Sequence, residues 1–361
     1  MKAAVLREIK KPLSIEDVQI DKPGPHEVLI HTSAAGVCHS DLHFQTGDYM
    51  YPMPAVLGHE SAGIVEQVGS EVKYVKPGDH VITCLSVFCG HCEYCLGGRP
   101  SLCAKEGLRR EAGDPPRLSQ DGEVMHQFLD LSSYAEQLLV HENATVKIRD
   151  DMPLDRAALI GCGVTTGLGA VFNTARIEVG STIAVLGCGG VGLSCIQGAA
   201  IAGASRVIAI DRLPTKLELA RSFGATDLVN ASEGDPVQQV KDLLGGGVDY
   251  SFEAIGLKQT TEQAWQMLKN GGTATVIGMI PVGTMIELHG VDFLFEKKIQ
   301  GSSMGSNRFR TDMPKYVDFY LNGKLKLDEL VSARLKLEEI NDAFDALQRG
   351  EVARSVIVFD S

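Results

Sequence analysis

The stretch Gly187-Cys188-Gly189-Gly190-Val191-Gly192 constrains this chain more than any other. It matches Gly-x-Gly-x-x-Gly, a pattern too common to mean much by itself. Its setting restricts the fold. The apolar run Thr182-Ile183-Ala184-Val185-Leu186 precedes it, a helix of small residues follows, and Asp211 closes the next apolar run, 19 residues after Gly192. In such a strand–turn–helix–strand unit Gly187 permits the tight turn and Gly189 lets the backbone approach a pyrophosphate. The charge of that group sits at the helix N-terminus, where Gly190 and Val191 lie, and Gly192 allows close helix–strand packing. Asp211 is then placed to accept the hydroxyls of an adenosine ribose and to repel a 2′-phosphate, which favours NAD over NADP. Arg212 works against that preference, because a guanidinium welcomes the phosphate. The plainer alternative is an ordinary βα turn with a surface aspartate.

The alternation continues through Leu228-Val229-Asn230, Tyr250-Ser251-Phe252-Glu253 and Thr273-Ala274-Thr275-Val276-Ile277-Gly278, as in a parallel sheet flanked by helices. From Lys2 to about His141 the pattern differs. Short β-type runs such as His26-Glu27-Val28-Leu29-Ile30-His31 and Gly63-Ile64-Val65-Glu66-Gln67-Val68 are broken by Gly and Pro, as in a mostly antiparallel domain. With 361 residues there is room for both. The expected class is α/β: a doubly wound Rossmann-type domain over 164–303, and a mostly β domain over 1–163 that the tail 304–361 rejoins. Acidic side chains number 46 against 34 basic ones, a net charge of −12 that repels nucleic-acid backbones and anionic lipid. The first residues lack a signal-peptide core, and no apolar run approaches the roughly 20 residues of a membrane helix. We expect a cytoplasmic protein with no nucleic-acid and no membrane partner.

The nine cysteines are an odd number, and four of them crowd together. Cys89, Cys92, Cys95 and Cys103 give Cys-x2-Cys-x2-Cys-x7-Cys, which lets one loop wrap four thiolates around a tetrahedral zinc. All four positions are filled, so such a site is structural. Free thiols or an iron–sulfur cluster are the alternatives. Three further candidates stand far apart, in Gly36-Val37-Cys38-His39-Ser40-Asp41-Leu42-His43, Gly58-His59-Glu60 and Gly161-Cys162-Gly163. Taken singly, Cys38 and Cys162 read as small buried residues and His59 as a structural histidine. As a set they are two thiolates and an imidazole with a fourth position open, the arrangement of a catalytic zinc.

In these motifs and their order the chain resembles, over essentially its whole length, the zinc-dependent medium-chain alcohol dehydrogenases of the long-loop, two-zinc type. The resemblance implies that the β domain is GroES-like. It implies a catalytic zinc on Cys38, His59 and Cys162, and a structural zinc on Cys89, Cys92, Cys95 and Cys103. Asp41 would orient the His59 ring, and Glu60 would lie behind the catalytic metal. Ser40 and His43 match the protein ends of a proton relay that passes through the nicotinamide ribose. His39, Lys216 and Arg354 match contacts to the pyrophosphate and adenosine ribose, and Thr166 and Ile277 match cofactor contacts as well. The substrate wall by family position is Tyr49, Leu85, Leu108, Phe128, Leu129, Ile277 and Met279. The 59 residues from Cys103 to Cys162 resemble the longer-loop dimeric members, so the resemblance also implies a homodimer, joined by edge pairing of the cofactor sheets near 273–281.

The chemistry explains why a metal is needed. Hydride leaves a carbinol carbon when its oxygen is close to alkoxide, yet an unassisted hydroxyl has a pKa near 15.7. Lowering it by roughly 9 units corresponds to about 12 kcal/mol, while a hydrogen bond contributes about 1–3. Ser40 alone falls short, and a dication does not. The implied reaction is reversible oxidation of a primary alcohol, medium-chain or aromatic because Leu85 replaces an aromatic ring found in several ethanol-preferring relatives. Two other readings stand beside it. The branch acting on the glutathione adduct of formaldehyde uses an Arg four residues beyond the last lobe cysteine; here that residue is Gly107, with Arg109 and Arg110 close by. A non-catalytic NAD-binding protein would have no use for the full ligand set with Ser40 and His43.

Overall fold

The computed structural model describes every residue except Ala112, Glu351 and Ser361. The chain forms two compact units, Met1–Gly163 with Arg308–Ser361, and Val164–Asn307.

The second unit is built on six parallel strands. Their order is Asp227–Asn230, Arg206–Asp211, Thr182–Leu186, Val248–Glu253, Leu268–Val276 and Lys298–Gly301. Parallel neighbours need crossover connections, and the helices Gly190–Ile201, Pro214–Ser222, Pro236–Leu244 and Lys258–Gln266 supply them. The apolar runs of the sequence become its core, with Ala184, Leu186, Ile208, Ile210, Val240, Trp265 and Met267 packed together. The order reverses at Thr182–Leu186, and ligands of such sheets bind outside the carboxyl ends of the strands at that point. Gly192 is required there for a steric reason: a Cβ on it would lie 1.7 Å from the Gly187 carbonyl oxygen.

Two expectations change here. Leu268–Val276 has a strand on each side, so its part of 273–281 offers no sheet edge; the two open edges are Asp227–Asn230 and the short strand Lys298–Gly301, the latter preceded by the exposed Met285, Leu294 and Phe295. The chain also returns to the first unit after Asn307 rather than at 304. Gly305 packs so tightly on the helix at Thr165–Gly169 that a Cβ would stand 2.4 Å from the Thr165 carbonyl, which ties 304–307 to the second unit.

In the first unit the strand Glu27–Gly36 runs through a seven-stranded sheet. It pairs antiparallel with Ser61–Val68, Gln137–His141 and Arg354–Val358, and the last pairing brings the C-terminal segment back. Residues 32–36, Thr-Ser-Ala-Ala-Gly, extend it beyond the run legible in the sequence. A four-stranded sheet of His126–Gln127, Ala55–Val56, Lys2–Leu6 and Ser14–Asp17 and a small three-stranded one of Gln19–Ile20, Leu118–Gln120 and Glu123–Val124 accompany it. One helical run, Leu154–Ala175, has 22 residues and is apolar enough to cross a membrane, contrary to expectation. Within its most apolar window 83% is buried in the protein, so it is a core helix.

At the start of the central strand Glu27, 5% exposed, is gripped by Arg110 and Arg117, each at 2.6 Å, and Arg110 also holds Asp21 at 2.5 Å. Burial pushes the Glu27 carboxyl up, but the two guanidiniums outweigh it and hold the group at about 2, against an ordinary 4.5. A depressed carboxyl stabilises the fold above its ordinary pKa, and that contribution is lost as pH falls from 4.5 toward 2. Glu27→Gln is expected to cost about 3 kcal/mol at pH 7 and to flatten this part of the curve. Urea unfolding at pH 7 and pH 3 measures both, and an unchanged midpoint at pH 7 would contradict the assignment.

Candidate metal and cofactor sites

Three segments of the first unit bring Cys38, His59 and Cys162 together. Cys38 ends the turn after the central strand and precedes the helix His39–Thr46; His59 precedes the strand Ser61–Val68; Cys162 sits in a π-helical turn, Ile160–Val164. Turns of that kind recur at functional sites. The three ligand atoms lie within 4.8 Å of one another and all three residues are buried. His59 Nε2 is 3.2 Å from Cys162 Sγ, while its Nδ1 is 3.1 Å from Asp41 Oδ1. Asp41 is fully buried and also accepts from the Gly58 N–H (3.1 Å) and the Tyr134 hydroxyl (2.9 Å). A carboxylate so anchored fixes the ring with Nε2 toward the sulfurs. The Cys162 thiol donates to Cys38 and holds it well below the usual thiol range despite burial, with Arg354 and His59 adding to the effect. Burial pulls His59 down, but Asp41 and Cys38 outweigh it and raise it well above its ordinary value. Two sulfurs and an oriented imidazole fit zinc with one position left open.

Behind them Glu60, also fully buried, accepts from the Gly163 N–H at 3.1 Å and faces Arg354 at 3.7 Å, while its Oε1 has no hydrogen-bond partner. Burial pushes its carboxyl up to about 7, against the pull of Arg354. Two glycines make this packing possible: a Cβ on Gly36 would strike Glu60 Oε1 at 2.2 Å, and one on Gly163 would strike Arg354 Nη2 at 2.0 Å. Arg354 is 5% exposed and also donates to the Val37 carbonyl at 3.2 Å. It is therefore a buried partner of Glu60 within the first unit.

Ser40 and His43 are three residues apart on the helix His39–Thr46 and so share a face. The Cys38 thiol lies 3.6 Å from Ser40 Oγ, and His43 Nδ1 lies 3.1 Å from Asp48 Oδ2. His39 is exposed at the start of the same helix.

In the second unit Gly187 is left-handed, with φ +94, at the end of its strand. A Cβ on Gly189 would meet nothing within 4 Å, so the backbone there is open to a ligand. Gly190 and Val191 begin the helix Gly190–Ile201. Asp211 Oδ2 accepts from the Cys188 N–H (2.8 Å), and Oδ1 accepts from the N–H groups of Arg212 (2.7 Å) and Leu213 (3.1 Å). That fixes the carboxylate and leaves one lone pair of Oδ2 for a ribose hydroxyl. Arg212 is exposed, and Lys216 is half-buried in the first turn of the helix Pro214–Ser222. Thr166 Oγ1 lies 3.4 Å from Met304 Sδ, and the Ile277 N–H donates to the Glu253 carbonyl at 2.9 Å.

The four lobe cysteines also gather within 4.8 Å. Backbone N–H groups point at the sulfurs, from Cys89 and Lys105 to Cys103 Sγ at 3.1 Å each and from Cys92 to Cys89 Sγ at 3.3 Å. The lobe has little else to hold it: its helix, Glu93–Leu96, buries no residue, and Leu96 is 76% exposed. That is the chemistry of a stapling metal.

Of the expected substrate wall, Tyr49, Leu85 and Leu129 are half-buried in the first unit, as are Ile277 and Met279 in the second. Leu108 is 7% exposed and packs with Leu85, Val87 and Leu131. Phe128 has no exposed surface. Its ring stacks edge-on behind His59, at 6.0 Å between centroids, and against Phe44 and Tyr51, so it backs the ligand rather than lining a wall. Leu129 is left-handed (φ 50), with its N–H held by the Tyr51 hydroxyl at 3.2 Å. Sequence reasoning missed Tyr134 and Asp48, which carry no motif; the Gly47-Asp48 pair closing the helix is the one local hint.

Residues 24–150 match the alcohol dehydrogenase GroES-like domain family and residues 190–322 the zinc-binding dehydrogenase family. A class-3 alcohol dehydrogenase of Drosophila melanogaster is 42% identical over 368 aligned residues, which cover 99% of this chain and 97% of the relative. Among solved structures, an alcohol dehydrogenase zinc-binding domain protein from Burkholderia ambifaria is similar with a TM-score of 0.95 at 37% identity, over 100% of this chain and 99% of that one. A benzyl alcohol dehydrogenase from Acinetobacter calcoaceticus is similar with a TM-score of 0.94 at 33% identity, over 99% of each.

Proposed function

Because the chain belongs to the zinc-dependent medium-chain alcohol dehydrogenase family, we propose that it transfers hydride between a primary alcohol and NAD, reversibly forming the aldehyde. The observation that carries this reading is the convergence of Cys38, His59 and Cys162 beside Asp41. Those three residues would hold one zinc and the four lobe cysteines a second. When bound, the zinc supplies Lewis acidity that moves a hydroxyl pKa from 15.7 toward about 7, and NAD supplies the hydride acceptor.

The chain's own residues do the rest. Asp41 and Tyr134 fix His59. Ser40 takes the hydroxyl proton at Oγ as it releases its own, and His43 takes up a proton and passes it to water. Glu60 and Arg354 form a buried charge pair behind the ligands. Asp211 binds the adenosine ribose and disfavours a 2′-phosphate.

For the substrate, the hydroxymethyl adduct of a thiol takes first place. The class-3 relative supports it, and so does a cation beyond the lobe: Arg109 is 78% exposed, with Asp130 3.7 Å away. Arg110 is not available, since Glu27 and Asp21 hold it. Gly107 is left-handed (φ +70), a conformation that disfavours an Arg at that position, so Arg109 would meet an adduct carboxylate in its place. The benzyl alcohol dehydrogenase neighbour and the apolar Leu85, Leu108 and Leu129 favour a second reading, an aromatic primary alcohol. Formaldehyde oxidation with and without glutathione or another small thiol, beside benzyl alcohol oxidation, separates them. The first reading expects the thiol to raise NADH formation at least about tenfold, the equivalent of one charge-assisted contact. No stimulation together with brisk benzyl alcohol turnover would leave only the second.

A further inference from the structure

We propose that Asp48 is the positioning residue of His43: it holds the imidazole by Nδ1–H, so that Nε2 is the nitrogen that takes up and releases the proton. This rests on the relay role given to His43 above. The local sequence builds the pair. The helix His39–Thr46 ends at Gly47, whose left-handed backbone (φ 83) turns the chain back and whose N–H donates to the His43 carbonyl. The N–H groups of Asp48 and Tyr49 donate to the same carbonyl, at 2.9 and 3.3 Å. Residues 47–49 are thereby folded over the last turn, and the Asp48 carboxylate returns to the side chain from which the turn began.

Asp48 Oδ2 lies 3.1 Å from His43 Nδ1 and accepts from Thr46 Oγ1 at 2.8 Å. Those two hydrogen bonds hold its carboxyl below the usual range, so it is an anion at neutral pH. The Asp48 side chain is 46% exposed, and an ion pair that open to water adds about 0–1 kcal/mol of stability, too little to explain the arrangement as a fold staple. The other titratable groups around the pair are Tyr49, whose ring meets His43 edge-on at 6.0 Å, and Lys10, which acts on Asp48 from the loop bonded to the helix end through Gln45. An imidazole whose Nδ1–H is committed to an anion presents Nε2 as its free base. A proton arriving at Nε2 gives an imidazolium whose Nδ1–H stays on Asp48. Nε2 then gives that proton to water or a buffer base, the ring returns to neutral, and Asp48 is never protonated.

The test uses the full-length, zinc-loaded enzyme with Asp48→Asn, Asp48→Glu, His43→Gln and the Asp48→Asn/His43→Gln double variant. The readouts are the pre-steady-state NADH burst, its response to imidazole buffer, the KM for alcohol and the 15N spectrum of the histidines. Asp48→Asn is expected to slow the burst about tenfold with KM and melting temperature unchanged, since a relay base contributes about 10²–10⁴ and its orientation a part of that. Asp48→Glu restores most of the rate, imidazole buffer restores part of it, and in the His43→Gln background Asp48→Asn changes nothing. Losses that multiply in the double variant, or a wild-type His43 carrying its proton on Nε2, would overturn the proposal. A wild-type enzyme that oxidises no alcohol would instead remove the functional reading, and the 15N spectrum would still decide the assignment of Asp48.

Discussion

Replacing Cys162 by Ser is expected to lower alcohol turnover by at least about 10⁴-fold and to reduce bound zinc from two equivalents per chain to one. The size follows from the acidity that the site must supply. If bringing a hydroxyl to neutral pKa needs about 12 kcal/mol, losing even half of that raises the barrier by about 6 kcal/mol, and each 1.36 kcal/mol is tenfold. Cys162 is buried and its sulfur touches both other ligands, so replacing it removes one of three ligands at the centre of the set. His59→Ala should behave alike, whereas NADH binding should survive in both variants, because the glycine turn and Asp211 belong to the other unit. Metal analysis beside steady-state kinetics measures the effect. A Cys162→Ser protein that keeps one zinc yet turns over within tenfold of wild type would contradict it.

Removing one lobe ligand, as in Cys92→Ser, is expected to unravel residues 89–103 and leave the chain unstable or aggregated. Apparent binding energies of such sites are on the order of 10 kcal/mol, comparable with the whole stability of a domain. The lobe has no reserve to absorb that loss, since its short helix buries nothing and Leu96 and Leu102 face solvent. Limited proteolysis within 89–103 and thermal unfolding measure it. A variant with wild-type protease resistance and melting temperature would show that the lobe packs without a metal.

What the sequence made legible was local or periodic. The turn Gly187–Gly192 with Asp211 declares itself because strand, turn and helix occur in one short stretch, and the lobe because its four cysteines fall within fifteen residues. Cys38, His59 and Cys162 were legible only as a set. Encounters between distant side chains were not legible, because they have no period: Tyr134 reaches Asp41 across 93 positions, and Arg354 meets Glu60 through a C-terminal strand laid beside the central one. The edge strand of the parallel sheet was illegible for a related reason. Lys298–Gly301 is four residues long, half-exposed and opened by charge, so it lacks the apolar run that marked the other strands. Phe128 was assigned to a wall by family position alone, whereas the fold uses the ring to back His59.

The central claim, that a dication on Cys38, His59 and Cys162 acidifies the substrate hydroxyl, is tested most directly by following turnover while a chelator strips the protein of zinc stepwise. We predict that turnover falls in proportion to the loss of one of the two zinc equivalents per chain and returns when that equivalent is restored. Full turnover in protein freed of all metal would contradict the account.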